Sequence, residues 1–226
     1  MKILGIDTST MMGAVGIVDD DALIAELRTN VALTHSERLM LHVDGLLGSA
    51  GLKLADIDGF AVSAGPGSFT GLRIGIAAVK AMAFATGKPV ASVSTLDALA
   101  DNLPFCKYQI CAAQDARKKM LYAALYRTTD TGRKTVMEPS AITPEELARR
   151  IDEPTVFVGE GGYVYREFLE ERLCCQAFFA SKAYGYPSGA TVAFRGLREL
   201  KAGRAADPMT LEPVYIRKSD AEEKQA

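Results

Sequence analysis

The sequence predicts an α/β protein built from two related halves, of which the second is shorter. Two observations carry this prediction. Apolar strand patterns and helix patterns follow one another in the order βββαβα, and the same order begins again after Pro104. In addition, a glycine-rich turn joins an apolar strand to a long, almost uncharged helix.

The first half contains five strand patterns and three helix patterns. Strands are expected at residues 2–7, 13–18, 22–28, 59–63 and 90–93, and helices at 36–49, at 71–86 and from residue 95. The first helix begins with a capping box, Thr34-His35-Ser36-Glu37, and stops at Gly51. Gly87 and Pro89 end the second helix, since neither residue continues a helix well.

The second half repeats this arrangement. Strands are expected at residues 108–114, 121–127, 134–138 and 155–158, and helices at 144–150 and 163–173. When the halves are aligned without a gap, Asp115 superposes on Asp7, and each ends a first strand. The turn Gly159-Glu160-Gly161-Gly162 repeats the glycine-rich turn of the first half.

Two facing lobes of this topology define the actin-like architecture (ASKHA, ribonuclease H-like) of actin, Hsp70 and hexokinase. The sequence therefore predicts a first lobe at residues 1–104 and a shortened second lobe at 105–189. A helix near 190–202 and the tail to residue 226 are expected to return to the first lobe.

Composition limits the classes of function. The net charge of −2 gives no basic excess of the kind that a self-sufficient nucleic-acid binder shows. The longest apolar run, residues 74–85, is broken by Lys80 and is too short to span a bilayer, and the N-terminus begins with a strand pattern rather than a signal sequence. We therefore expect a folded cytoplasmic protein with no membrane association.

The glycine-rich turn at residues 63–75 is a candidate anion site. Gly65, Gly67 and Gly71 allow close backbone approach, and the first amides of the following helix favour negative charge. An ordinary tight connection between a strand and a helix explains the same residues. Asp7 has two interpretations as well, as an indirect cation ligand or as a cap for nearby amides.

Four segments together resemble one family of bacterial proteins. They lie at residues 3–10, 63–75, 115–122 and 213–217, and the run Gly-Pro-Gly-Ser-Phe-Thr-Gly-Leu-Arg-Ile-Gly within them is highly specific. With these segments the chain resembles the TsaB (YeaZ) family over nearly its whole length.

That resemblance implies a fold, a pathway and partners. The family is actin-like and pairs with TsaD, which resembles it in the first lobe. Together with TsaE, these proteins transfer threonylcarbamoyl from threonylcarbamoyl-AMP, made by TsaC, to the adenosine beside the anticodon of ANN-decoding tRNAs. The family is understood as the non-catalytic subunit, a homodimer when alone, which meets tRNA only through the complex.

The residues of this chain agree with a non-catalytic role. Where TsaD carries its two metal-binding histidines, this chain has Thr95 and Leu99. His35 and His42 are seven residues apart on one helix, about 10 Å, which is too far for joint ligation. We therefore expect no catalytic residues, no metal site and no cofactor.

A nucleotide cleft is expected to survive only in part. After Asp115 the chain reads Ala116-Arg117-Lys118-Lys119, without the glycines that let backbone amides reach phosphates in the second lobe of related enzymes. The residues expected to form a residual anion or nucleotide cleft are Asp7, Thr8, Gly67, Ser68, Gly71, Asp115 and Arg117. The alternative functions are an ATP-dependent small-molecule kinase that uses Asp7 and the turn, and a glycoprotease-like metallopeptidase.

The second helix is apolar around more of its circumference than a sheet can cover. Between residues 71 and 86 only Arg73 and Lys80 are charged. The predicted partner interface, on this helix and the one before it, consists of Leu39, Leu41, Val43, Leu46, Leu47, Gly71, Gly75, Ala78 and Met82. Packing of the two helices on each other over the sheet is the alternative.

Overall fold

The structure is a computed structural model that describes residues 1–30, 35–130 and 132–217. The expected capping box begins at Thr34 and so lies partly outside the described residues. The chain divides into two compact units. The first comprises Met1–Ala98 and Pro187–Val214, and the second comprises Leu99–Tyr186 together with the described residues 215–217. The lobe boundaries expected from the sequence, and the expected packing of the helix and tail at 190–226 on the first lobe, stay predictions.

Each unit contains one five-stranded sheet. The strands are β1 (Lys2–Asp7), β2 (Gly13–Asp19), β3 (Ala22–Thr29), β4 (Gly59–Gly65), β5 (Val90–Ser94), β6 (Gln109–Asp115), β7 (Leu121–Thr129), β8 (Gly132–Ile142), β9 (Thr155–Val158) and β10 (Ala177–Phe179). The helices are α1 (His35–Ser49), α2 (Phe69–Thr86), α3 (Thr95–Ala100), α4 (Pro144–Arg150), α5 (Glu160–Val164), α6 (Arg166–Leu173) and α7 (Gly189–Lys201).

The two sheets have corresponding strand orders. The first runs β3-β2-β1-β4-β5, and the second runs β8-β7-β6-β9-β10. In each, the first strand pairs antiparallel with the second and parallel with the fourth, as β1 does with β2 and β4 and as β6 does with β7 and β9. The repeated βββαβα order predicted from the sequence is therefore confirmed.

Two details of the second unit differ from the sequence prediction. The expected helix at 163–173 is divided into α5 and α6 at Tyr165, whose ψ of 21° departs from helical geometry. Strand β10 was not predicted, because three residues are too few to show an alternating pattern. It forms one edge of the sheet and pairs in parallel with β9.

Helices cover both faces of the first sheet. On one face, α1 and α2 enclose a core that includes Leu4, Ile6 and Val62. On the opposite face, α7 packs on Ile3 and Ala61. Because successive strand residues point to opposite faces, the buried run Ile3 to Asp7 supplies both cores at once.

The helix α2 is long and apolar enough to cross a bilayer by length and composition alone. In this fold it is a core helix instead, since Leu72, Ile76 and Val79 are buried in its unit. Ser68 caps its start by accepting a hydrogen bond from Gly71 N, and Gly87 ends it in the left-handed conformation.

The crossing of α7 over the first sheet requires glycine. Gly5 and Gly16 face each other across β1 and β2. A Cβ on Gly16 would collide with the backbone of Gly189 and Ala190, and a Cβ on Gly5 would collide with Gly189 and Ala193. The helix therefore lies directly on the two strands.

This contact predicts a large difference between two glycine substitutions. Gly16→Ala should lower the free energy of unfolding of the first unit by about 3 kcal/mol, because the clash is with backbone that cannot rotate away. The matched control is Gly45→Ala on the exposed face of α1, where a Cβ meets no atom within 4 Å. It should be neutral or stabilising by up to about 1 kcal/mol. Urea unfolding monitored by circular dichroism tests both, and a Gly16→Ala protein as stable as the parent would contradict the prediction.

Candidate functional site

Asp7 lies at the end of β1 with a fully buried side chain. Its carboxylate accepts hydrogen bonds from the Ser9 backbone amide at 3.2 Å and from the Ser9 hydroxyl at 2.9 Å. Burial raises the pKa of Asp7 to about 6, against the opposing effect of the Ser63 and Ser9 hydroxyls. Within the described residues no cationic side chain pairs with it. The carboxylate is therefore held by hydroxyl and amide donors alone.

The backbone that follows Asp7 fills the glycine-rich turn. Ser68 N donates to Ser9 O at 2.7 Å, and a Cβ on Gly67 would lie only 2.6 Å from that same oxygen. Thr8 Oγ1 donates to Gly71 O at 2.7 Å, and a Cβ on Gly71 would collide with Thr8 O. These glycines are thus required for contact between two backbone segments of the first unit.

The helix start is also satisfied internally. Gly71 N donates to the Ser68 hydroxyl at 3.3 Å, and Ser68 N is bonded to Ser9 O. Two of the amides that would contact an anion at the start of α2 therefore already have protein partners. A Cβ on Gly75, one turn further along, would collide with Thr8 Oγ1.

Two residues of α1 fix the loop after β1. His35 Nε2 lies 2.7 Å from Thr10 O, and the contact with a carbonyl makes this nitrogen the donor. Arg38 is buried, and its Nη2 donates to Met11 O at 2.9 Å. Burial lowers the pKa of His35, which favours the neutral ring. This role of His35 and Arg38 was not predicted from the sequence, although their spacing of three residues on one helix face is a signal for it.

In the second unit, Asp115 caps a turn instead of entering a core. Its carboxylate accepts from Arg117 N at 2.9 Å and pairs with the exposed Arg117 guanidinium at 3.4 Å. Arg117, Lys118 and Lys119 all have positive φ, of 61°, 49° and 60°. Each such non-glycine residue costs about 1 kcal/mol. The β6–β7 hairpin therefore presents three consecutive basic residues at its tip.

Most of the predicted interface residues are inaccessible. The structure buries Leu39, Val43, Leu46, Leu47, Gly71, Gly75 and Met82 within the first unit. Gly71 and Gly75 face Thr8, so their small size serves contact with a strand end and not with a partner. Leu41 is 71% exposed, and Ala78 is partly buried against the core. Only Leu41 of the predicted set is fully available for docking.

Comparison with known proteins now identifies the family. The family model for TsaD, tRNA N6-adenosine threonylcarbamoyltransferase, matches residues 29–225. The tRNA threonylcarbamoyladenosine biosynthesis protein TsaB of Bacillus subtilis is 31% identical over 227 residues, which cover 99% of this chain and 97% of that protein. The chain belongs to the TsaB family.

Solved structures agree with this membership. YeaZ from Pseudomonas aeruginosa has a TM-score of 0.80 at 27% identity, over 95% of this chain and 99% of that one. The activator of 2-hydroxyisocaproyl-CoA dehydratase from Clostridium difficile has a TM-score of 0.51 at 12% identity, over 90% of this chain and 97% of that one. This second similarity shows the fold alone. The fold of this chain is actin-like, as the sequence predicted.

The environment of Asp7 predicts a specific pH dependence of stability. With a pKa near 6 in the folded protein and an ordinary value in the unfolded chain, Asp7 binds an extra proton in the folded state between about pH 4 and 6. Its contribution to stability is therefore complete below about pH 4 and is lost as the pH rises past 6. The free energy of unfolding of Asp7→Asn, measured relative to that of the parent, should therefore rise by about 3 kcal/mol from pH 4 to pH 7.

Urea unfolding of both proteins across this pH range measures the difference. The exposed Asp44→Asn change on α1 controls for the loss of one negative charge. A difference between Asp7→Asn and the parent that stays constant from pH 4 to 7 would show that Asp7 does not titrate as described.

Proposed function

We propose that this chain is the non-catalytic subunit that associates with a TsaD partner and works with TsaE in tRNA threonylcarbamoyladenosine biosynthesis. In that reaction, threonylcarbamoyl is transferred from threonylcarbamoyl-AMP to the adenosine beside the anticodon of ANN-decoding tRNAs. Family membership gives the chain its place in the pathway. The observation that carries the non-catalytic assignment is the glycine-rich turn, which is filled by the chain's own Thr8 and Ser9.

The side chains around the turn support the same proposal. Asp7 accepts hydrogen bonds from Ser9, and His35 and Arg38 hold the loop that follows. Each of these polar side chains of the first unit thus has a structural role. Within the described ranges, no three histidine, cysteine or acidic residues come together as a metal site would require.

The docking surface that we propose replaces the predicted interface residues with those that solvent can reach. It lies on the outer faces of α1 and α2 and consists of Met40, Leu41, Gly45, Gly48, Ala77, Ala81 and Phe84. The large apolar members are well exposed, with Met40 at 51%, Leu41 at 71% and Phe84 at 59%. A Cβ on Gly45 or Gly48 would meet no atom within 4 Å, so a partner helix can approach this backbone closely.

The shared family model supports TsaD as the partner for this surface. The TsaD model matches most of this chain, so a TsaD partner has a related first lobe and presents an equivalent pair of helices. The two helix pairs can therefore form a pseudo-twofold interface. When TsaD is absent, a second copy of this chain takes its place. We further propose that the chain acts in the cytoplasm, without membrane association, and meets tRNA only through the complex, consistent with its net charge of −2.

Substitution on the docking surface should prevent association without unfolding the chain. Leu41→Glu places a charge in the centre of the buried interface and should weaken binding to TsaD by at least about a hundredfold, while thermal stability stays near that of the parent. The matched control is Val136→Glu on β8, at a residue that is 48% exposed in the second unit. Titration calorimetry measures binding, and scanning calorimetry measures stability.

The two proteins should differ in binding and not in stability. If Leu41→Glu binds TsaD as tightly as Val136→Glu does, the interface lies elsewhere. If it no longer associates but still restores threonylcarbamoyl-tRNA synthesis in a strain that lacks this subunit, association is not the function.

The isolated chain should show no ATP turnover, because the start of α2 and the glycine-rich turn are occupied by protein groups. Phosphate release from ATP by the purified protein tests this directly, with the parent and Asp7→Ala compared in parallel. Turnover by the parent that is lost in Asp7→Ala would favour the alternative of an actin-fold kinase.

A further inference from the structure

The second unit contains an open cavity that the proposed function does not use. It has a volume of about 710 Å³ and lies between the segment before β6 and the segment after β10. Its lining includes Leu103, Phe105, Cys106, Val156, Ser181 and Tyr184. This volume lies in the range of sites that hold small organic ligands.

The two walls of the cavity are tied together. Asn102 Nδ2 donates to Tyr184 O at 2.9 Å and to Tyr186 O at 2.7 Å. Arg133 Nη2 donates to Leu103 O at 3.0 Å, so the first wall is also fixed to β8. A site whose walls are already held in place loses little conformational entropy when a ligand binds.

Two aromatic residues line this cavity, and two more lie near it. Phe105 is 96% exposed at its edge, and Tyr184 is 49% exposed on the opposite wall. Phe178 pairs with Val156 in register, so its side chain lies on the same sheet face as that lining residue. Tyr108 stacks on Phe178, with ring centroids 4.9 Å apart and planes 11° from parallel. Phe105 and Tyr184 therefore offer flat apolar surfaces to a planar ligand in the cavity.

Two lysines flank the lining segments in the sequence. Lys107 follows the lining residue Cys106, and its Nζ lies 4.8 Å from the ring centre of Tyr108. Lys182 follows the lining residue Ser181, and its Nζ lies 5.6 Å from the ring centre of Tyr163. Asp101, the acidic residue beside this segment in the sequence, forms an ion pair with Arg133. A ligand that combines a planar ring with negative charge matches both features.

We propose that this cavity binds a nucleotide, with the base among the aromatic rings and the phosphate toward Lys107 and Lys182. Base stacking on aromatic side chains beside a cationic groove is how proteins hold nucleotides without reading their sequence. The nucleotide is either free or part of a single RNA strand, since both present the same base and phosphate. A site for one nucleotide of a strand is too small to bind tRNA without the complex, and binding of AMP does not depend on association with TsaD.

A tryptophan reporter tests the site, because the chain has no tryptophan of its own. Phe105→Trp keeps an aromatic ring at the cavity edge, and a base that stacks there should quench its fluorescence. Val136→Trp, on β8 in the same unit, is the matched reporter outside the cavity. AMP and a short single-stranded oligoribonucleotide are the two probes.

Saturable quenching of Phe105→Trp by either probe, with none in Val136→Trp, supports the site. Quenching by AMP indicates a mononucleotide site, and quenching by the oligoribonucleotide alone indicates a strand site. No quenching by either probe at millimolar concentration, or equal quenching of both reporters, would overturn the proposal.

The contribution of the phosphate is tested separately in the Phe105→Trp protein. AMP should bind roughly tenfold more tightly than adenosine, and Lys107→Ala should remove most of that difference. The charge-matched control is Lys53→Ala, an exposed lysine in the first unit. Equal affinities for AMP and adenosine would overturn the assignment of the phosphate to the lysines.

The unmodified chain provides an independent measurement. Cys106 is partly buried in the cavity lining, whereas Cys174 and Cys175 are exposed elsewhere in the unit. AMP or the oligoribonucleotide should slow alkylation of Cys106 by iodoacetamide, measured by peptide mass spectrometry, by about fivefold or more at saturation. Alkylation of Cys174 and Cys175 should not change. Unaltered labelling of Cys106 at saturating probe would contradict nucleotide binding in this cavity.

Discussion

The contact between the end of β1 and the glycine-rich turn is the constraint on which the site in the first unit depends. Thr8 Oγ1 donates to Gly71 O, Ser68 N donates to Ser9 O, and a side chain on Gly71 would collide with Thr8 O. The start of α2 is thereby fixed against the sheet, and Asp7 is enclosed among polar groups of the same segment. Of the two interpretations of this turn that the sequence left open, the backbone contacts favour the tight connection between a strand and a helix.

The two halves share a strand order but place their corresponding aspartates in different surroundings. Both first strands end in an aspartate, but Asp7 is fully buried with a raised pKa, whereas Asp115 caps a strained basic turn. The surfaces proposed above for recognition lie elsewhere, on the exposed apolar faces of α1 and α2 and in the cavity of the second unit.

The sequence predicted the strands and their order well because alternating burial and turn residues are local signals. The sequence could not identify the exposed face of α2, because almost every side of that helix carries apolar residues. Only packing against the sheet distinguishes the buried Leu72 from the exposed Ala77. The small size of Gly71 and Gly75 indicated close approach, but not that Thr8 is the group that approaches. The sequence could not indicate the cavity either, because its two walls lie some eighty residues apart and come together only in the folded chain.

The amides of Ser68 and Gly71 report directly on whether the chain's own groups occupy the start of α2, since Ser68 N donates to Ser9 O and Gly71 N donates to the Ser68 hydroxyl. Their ¹H–¹⁵N resonances should be followed while ATP or inorganic phosphate is added to the protein. We expect slow hydrogen exchange for Ser68 N and no saturable shift of either resonance with either anion. A saturable shift of both resonances at millimolar anion would show that the turn opens to bind phosphate, and would contradict its occupation by the chain's own groups.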